Sequence, residues 1–489
     1  MRITTHSLVF RTVARQRQAN TERLTLKQRR FLMVFTLLLF IVFSPSKALG
    51  QVTALLLIGA LLAYVQVSLA NHLIKLVALV VSLSGGIGFY ALISADFSLL
   101  NYLLFCVTIS STFLLLWNFS SIISPHLLSA IVRRTGYVIV FESLYGVIQA
   151  CVGAIRNGSF DVGNGDLVRG TINPSFQHIP SASNPIYAVL LSTLLFFIFG
   201  ASRNRLNRSL VPVYLLGIVA WLLASVMHTI IFFMVAVALS LGLLLPVEQL
   251  LRPRSKRLRK ARRWILVIGG VLLIAVLVIL PRNVANIPTF FQETLDVGPN
   301  SHSEKARATY ATFVQLPKTS PLQPVLGLGP GHYSSRASLI ISGEYLDSSL
   351  SSIIPVYQTS ATNRYIISLW RNFLKTRPNG GSTYFPFYSW LSLYGELGWG
   401  GVAAVVLLIV YYAVRLRAMA SREFPRLHFA LIVLMIYIAL LGFQDNYWEI
   451  TQAVCPSFLL FKLGYDYLRV EKTQRRKLLM SYPEGKFTQ

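Results

Sequence analysis

The stretch YSWLSLYGELGWGGV, Tyr388 to Val402, sets a carboxylate, Glu396, a few residues ahead of a strongly apolar run and gathers Gly395, Gly398, Gly400 and Gly401 at the junction. The run that follows, 399–414, is apolar enough to enter hydrocarbon, where a span needs about 20 apolar residues and somewhat fewer in a thinned bilayer. An acid and flexible backbone at such an entrance fit two roles. A Glu in the first turn complements a helix dipole, and glycines let another backbone come close; alternatively, the pair forms the membrane-side wall of an active site.

Working outward, the whole chain shares the character of this run. It is 54% hydrophobic and only 13% charged, far from the roughly 25% charged content of a soluble domain. Apolar segments recur at 31–45, 52–70, 73–94, 98–117, 136–155, 185–200, 210–226, 229–246, 264–281, 399–414, 427–443 and 450–466. The reading is an all-α polytopic membrane protein of about 12 transmembrane helices. Its parts are a basic N-terminus (1–30), nine spans (31–281), a large polar loop domain (282–385), three further spans (386–466) and a basic tail (467–489). Cys106, Cys151 and Cys455 lie in or beside apolar segments, so neither a disulfide framework nor a CxxC metal pattern is available.

The formal charge of +27 points to a membrane surface and not to nucleic acid, because the basic clusters alternate with the spans. With the N-terminus in the cytosol, one side receives the leader to Arg30, then Arg133 and Arg134, Arg203 to Arg208, the run RPRSKRLRKARR from Arg252, Arg415 to Arg426, and the tail at Arg475. Lys and Arg resist translocation, so this independent test supports both termini being cytosolic. Topology and contact with anionic headgroups account for these clusters. The leader shows no small-residue cleavage site and reads as retained.

Two connections on the other side are long enough to carry function. The first, 156–184, contains VRGTINP with Arg169, and then Asn184 and Pro185 as cap and first turn of the next helix. The second, 282–385, contains EKARATYATFVQL, an amphipathic helix carrying Arg307. It goes on to GLGPGHYSSR, where Gly327, Gly329 and Gly331 make a turn that backbone or ligand can approach, beside His332 and Arg336. Between spans seven and eight, LLASVMHTIIFF interrupts apolar sequence with Ser225, His228 and Thr229. Polar groups at membrane depth are costly and point to function, though a plain hairpin turn accounts for them equally.

These motifs, in this order and sidedness from Arg169 to Val402, resemble the O-antigen ligase and polymerase family of bacterial envelope glycosyltransferases. The features are RGTxNP before a span, a paired span with a polar break, an Arg-bearing amphipathic helix, GLGPGHY in a large outer loop, and LxxxxELGxxG opening the next span. The resemblance implies a GT-C-like fold in the bacterial cytoplasmic membrane, a polyprenyl-diphosphate-linked glycan donor and a glycan acceptor as partners, and contact with other polysaccharide export proteins. A sugar hydroxyl displaces the lipid diphosphate, whose growing charge Arg receives bidentately. On that chemistry Arg169 and Arg307 bind the leaving group, with Arg336, Arg371 and His228 as further substrate contacts. His332 is the first candidate general base and Glu396 the second. Position 387 is Phe where ligases of the family carry His, which favours a polymerase over a ligase or a protein oligosaccharyltransferase. A lipid-linked glycan flippase is the reading from another class. Nothing resembles an Asp-x-Asp metal site or a nucleotide site, so no metal and no cofactor are expected.

Overall fold

A computed structural model describes residues 24–45, 84–93, 96–157, 168–175, 183–202, 210–244, 295–344, 356–377, 382–419 and 425–480, with isolated residues between them. Among the described residues the regular structure is helical, with no strand. The principal helices are α1 (Leu26–Val42), α2 (Ser84–Ile93), α3 (Leu99–Thr108), α4 (Pro125–Asn157), α5 (Ser183–Ala201), α6 (Val211–Leu223) and α7 (Met227–Leu244). There follow α8 (Glu304–Tyr310), α9 (Arg336–Ile341), α10 (Ser368–Thr376), α11 (Ser389–Ala418), α12 (Pro425–Leu441) and α13 (Thr451–Met480).

Hydrophobicity places 12 spans in the sequence. Among the described residues three helices are long and apolar enough to cross a membrane, within α4, α5 and α11, and a fourth is counted if α3 and the 3-10 turn Ser110–Leu116, bent by 54°, make one span. Three causes separate these numbers. The segments 52–70 and 264–281 lie largely outside the described residues. Others are shorter than a full crossing, such as Val211–Leu223 and Pro425–Leu441, and α13 carries a buried ion pair, Lys462 to Asp466 at 2.7 Å. Charge is thus present inside an expected span. Glu142, inside the expected span 136–155, sits near the middle of α4 and is buried; Lys75, at the start of the expected span 73–94, lies outside the described residues.

Apolar side chains pack into two groups. The larger runs through α1, α4 to α7, α12 and α13, with Phe35, Leu39, Tyr187, Leu431 and Leu459 fully buried. The smaller lies between α8 and the start of α11 and centres on Tyr333, Phe373 and Phe387. Helix α11 differs from the others: only 11% of its apolar window is buried within the chain, so it presents a long exposed apolar flank.

Hydrogen bonds sort the helix ends into two sets. At one end, the Gln28 side chain of α1 reaches the Ile122 carbonyl at 2.9 Å ahead of α4, His428 of α12 meets the Leu416 carbonyl of α11, and Lys472 of α13 reaches the Ala418 carbonyl. Arg415 and Arg417 occupy the last turn of α11 there, and Arg426 stacks over Phe199 at the end of α5. This is the basic end. The clusters 203–208 and 252–263 lie outside the described residues. At the opposite end, Thr171 and Gln452 both reach carbonyls that close α1, those of Phe43 and Val42, and the Ser389 amide bonds to the Asp445 carbonyl.

Candidate functional site

The Gly-rich turn is built around Glu396. One carboxylate oxygen accepts the amide of Gly331 at 2.6 Å, and the other accepts those of Tyr333 at 3.2 Å and Ser335 at 2.9 Å. The turn's backbone also docks on α11, with the Leu328 amide on the Gly395 carbonyl and the Gly329 amide on the Glu396 carbonyl. A Cβ at Gly327, whose φ is +74°, would lie 2.0 Å from the Glu396 carbonyl oxygen. Only glycine permits both that dihedral and that approach. Glu396 does not stand in a first turn, because α11 begins at Ser389 and breaks at Gly398, where φ is +61°. The break separates the polar segment that carries the turn from the apolar segment beyond it.

His332 is equally engaged. Its Nδ1–H donates to the Pro330 carbonyl at 2.7 Å and its Nε2 accepts the Ser98 amide at 2.7 Å. The ring stacks on Phe97 with centroids 5.3 Å apart, and burial pushes its pKa below the usual histidine value. A neutral imidazole with both nitrogens occupied holds the turn against the connection before α3. In this arrangement it offers no lone pair to a substrate.

A second cluster meets the turn from the other side. The Arg336 amide, first in α9, bonds to Glu449; Asn446 donates to the Ser334 carbonyl at 2.8 Å and accepts from Ser392 at 3.1 Å. Lys305 of α8 is buried, and its ammonium donates to the Gln444 carbonyl at 2.5 Å. His228 at the start of α7 pairs with the Tyr447 hydroxyl at 2.8 Å. Burial lowers Lys305 to about 7, with the Asp445 charge opposing it. Burial likewise raises Asp445, held back by Arg336 and Lys305, and it raises Glu449 well above the carboxylate range. Two cations and two carboxylates therefore share one enclosed region where α7, α8, α9, α11 and the connection 442–450 converge. Each depends on the others, because an isolated buried charge costs several kcal/mol.

The remaining candidates lie elsewhere. Arg169 is fully buried, and its amide and that of Gly170 bond to Gln149 at 3.0 and 2.9 Å. The neighbouring Thr171 is held by Glu142 through its amide at 3.0 Å and its hydroxyl at 2.6 Å. This turn belongs to the larger apolar group, flanked by Val168 and Ile172. Asn184 is not a cap; it lies inside α5 and donates to the Ala224 carbonyl at 2.6 Å. Arg307 lies on α8, as the periodicity indicates, and pairs with Glu304 at 2.8 Å. Arg371 forms an exposed pair with Glu344. Ser225 takes a left-handed φ of 59°, and Thr229 bonds to the Val226 carbonyl, as a hairpin turn requires. Of the predicted residues, Glu396, His332, Arg336 and His228 border the enclosed region, with Arg307 on the same helix as Lys305.

Lys305, Asp445, Asn446 and Glu449 are not singled out by sequence reading. The available signal is FQDNYWE, polar residues crowded into the short connection 442–450 between two apolar runs. Among the described residues no group of three or more His, Cys, Asp or Glu is arranged to hold a metal ion. Comparison with protein-family models, with curated proteins and with solved structures finds no match to this chain.

Proposed function

We propose that this chain is a membrane glycosyltransferase that polymerises polyprenyl-diphosphate-linked oligosaccharide repeats on the outer face of the cytoplasmic membrane. In this reading about 12 spans carry an extracytoplasmic loop domain, and both termini and the basic end face the cytosol. The observation that carries it is the clustering of Lys305 and Arg336 with Asp445 and Glu449 in one enclosed region, at the end of the bundle opposite the basic clusters. Cations there answer a diphosphate leaving group and favour the ionised form of a neighbouring carboxylate, whose raised pKa makes it, once ionised, a stronger base toward an attacking hydroxyl.

The reaction balances without a further reagent. The acceptor oxygen forms a bond to the anomeric carbon, the bond from that carbon to the diphosphate oxygen breaks, and the hydroxyl proton passes to a carboxylate. Arg336 and Arg307 receive the charge on the leaving group, and Arg169, in a separate buried turn, is assigned to the donor's binding by the resemblance. Glu396 spends both carboxylate oxygens and His332 both ring nitrogens on the turn, whereas Asp445 and Glu449 each accept one backbone amide through a single oxygen, so these two take the role of proton acceptor that the resemblance gives to the former pair. Phe387 favours a polymerase over a ligase. It stands where the ligases have His and is buried against Trp370 and Phe385, each 5.3 Å away centroid to centroid.

Deleting the gene and sizing the cell's glycan tests the reading. Polymerase activity predicts loss of long chains with single repeats retained. Free long chains that are no longer attached would indicate a ligase, and precursor accumulating on the cytosolic face would indicate a flippase.

A further inference from the structure

At the basic end, a cavity of about 310 Å³ opens between the last turn of α11 and the middle of α13. Its walls include Arg415, Arg469 and Lys472, with the rings of Tyr411 and Tyr465. Among the described residues no carboxylate lines it. The arrangement is held in place: Tyr412 packs against Phe461 and Tyr465 at 5.2 and 5.1 Å, Lys472 donates to the Ala418 carbonyl at 2.5 Å, and the Arg415 guanidinium lies 5.4 Å from the Tyr411 ring centroid. Three like charges converging on one concavity repel one another unless an anion joins them.

The same helix supplies a second, independent feature. Val406, Leu407, Val410 and Val414 of α11 are exposed, and their spacing makes one stripe that runs along the helix toward the cavity. A soluble anion has no use for that stripe, whereas acyl chains do.

We propose that this cavity binds the phosphate headgroup of an anionic membrane lipid, whose acyl chains lie along the exposed stripe of α11. Basic pockets between membrane helices suit such headgroups. The site is separate from the enclosed charged region at the other end, and it stands whatever reaction that region performs. Bound lipid would brace α11, the helix least covered by the rest of the chain, against α13.

Native mass spectrometry of the purified full-length chain, released from detergent with equimolar phosphatidylglycerol and phosphatidylcholine, reads the preference directly. The wild type retains phosphatidylglycerol in preference. The triple variant R415Q/R469Q/K472Q loses that preference by roughly a hundredfold, and R469Q alone by about fivefold, from ~1 kcal/mol per basic residue at a lipid surface. The single variant, at an exposed position, covers the case in which the triple variant does not fold. Equal retention of the two lipids by the wild type, or an unchanged preference in the variants, overturns the proposal. So does complete displacement of phosphatidylglycerol by millimolar inorganic phosphate, which would assign the cavity to a free anion.

Discussion

Replacing Glu396 by Ala removes the acceptor for three buried amides, those of Gly331, Tyr333 and Ser335 at 2.6, 3.2 and 2.9 Å. Each orphaned buried donor costs ~1–3 kcal/mol, so the turn loses on the order of 5 kcal/mol, which is more than a thousandfold in its opening equilibrium. Hydrogen exchange read by mass spectrometry over 327–336 measures this locally, and exchange there should rise while that of α5 stays slow. The Gln variant sharpens the test. It keeps one acceptor oxygen and turns an amide N–H toward a backbone N–H, so its exchange should fall between wild type and Ala, with activity falling in step. Wild-type exchange in Glu396→Ala would refute the reasoning. A Glu396→Gln variant that is inactive with unchanged exchange would instead return Glu396 to the role of a base.

Further outcomes follow from the same geometry. Gly327→Ala places a Cβ 2.0 Å from the Glu396 carbonyl oxygen at a φ of +74°, so it should reproduce the exchange defect of Glu396→Ala with the carboxylate intact. Lys305 is lowered by burial to about 7 from an ordinary value of 10.5. Between those values the unfolded chain holds more protons, so stability in detergent should rise with pH through this window, and its burial cost is fully present below about 7; Lys305→Met should flatten that slope in thermal melts. The Arg371 to Glu344 pair is half exposed, and Arg371→Ala should cost no more than about 1 kcal/mol in the same melts and leave glycan length unchanged. Arg307→Ala and Arg169→Ala should each reproduce the glycan profile of the gene deletion at normal protein levels, as judged by sizing beside an immunoblot.

Helices of a buried bundle are legible because burial of apolar runs dictates them. The sequence reading of 185–200 and 210–226 lies within a few residues of α5 and α6. The amphipathic pattern at Glu304 likewise yields α8 and a π-helical turn, Ala311–Gln315, that continues it. Glu396 shows where such reading stops. Its position at the mouth of an apolar run is visible, but its partners are backbone amides 61 to 65 residues away, and no side-chain pattern announces a backbone amide. The connection 442–450 illustrates the other limit. A nine-residue connection with Gln444, Asp445, Asn446 and Glu449 between two apolar runs looks like a turn, and only the docking of α8 and α9 onto it brings Asp445 near Lys305 and Arg336, and Glu449 near Arg336.

The central claim is that the turn and its enclosed charges face away from the side that holds the basic clusters. Single cysteines at two exposed positions, Leu322→Cys beside the turn and Arg417→Cys at the end of α11, in a background with Cys106, Cys151 and Cys455 changed to Ser, test it in spheroplasts with a membrane-impermeant maleimide. The account predicts that the first labels in intact spheroplasts and the second only after permeabilisation. Labelling of both from outside, or the reverse order, would contradict it.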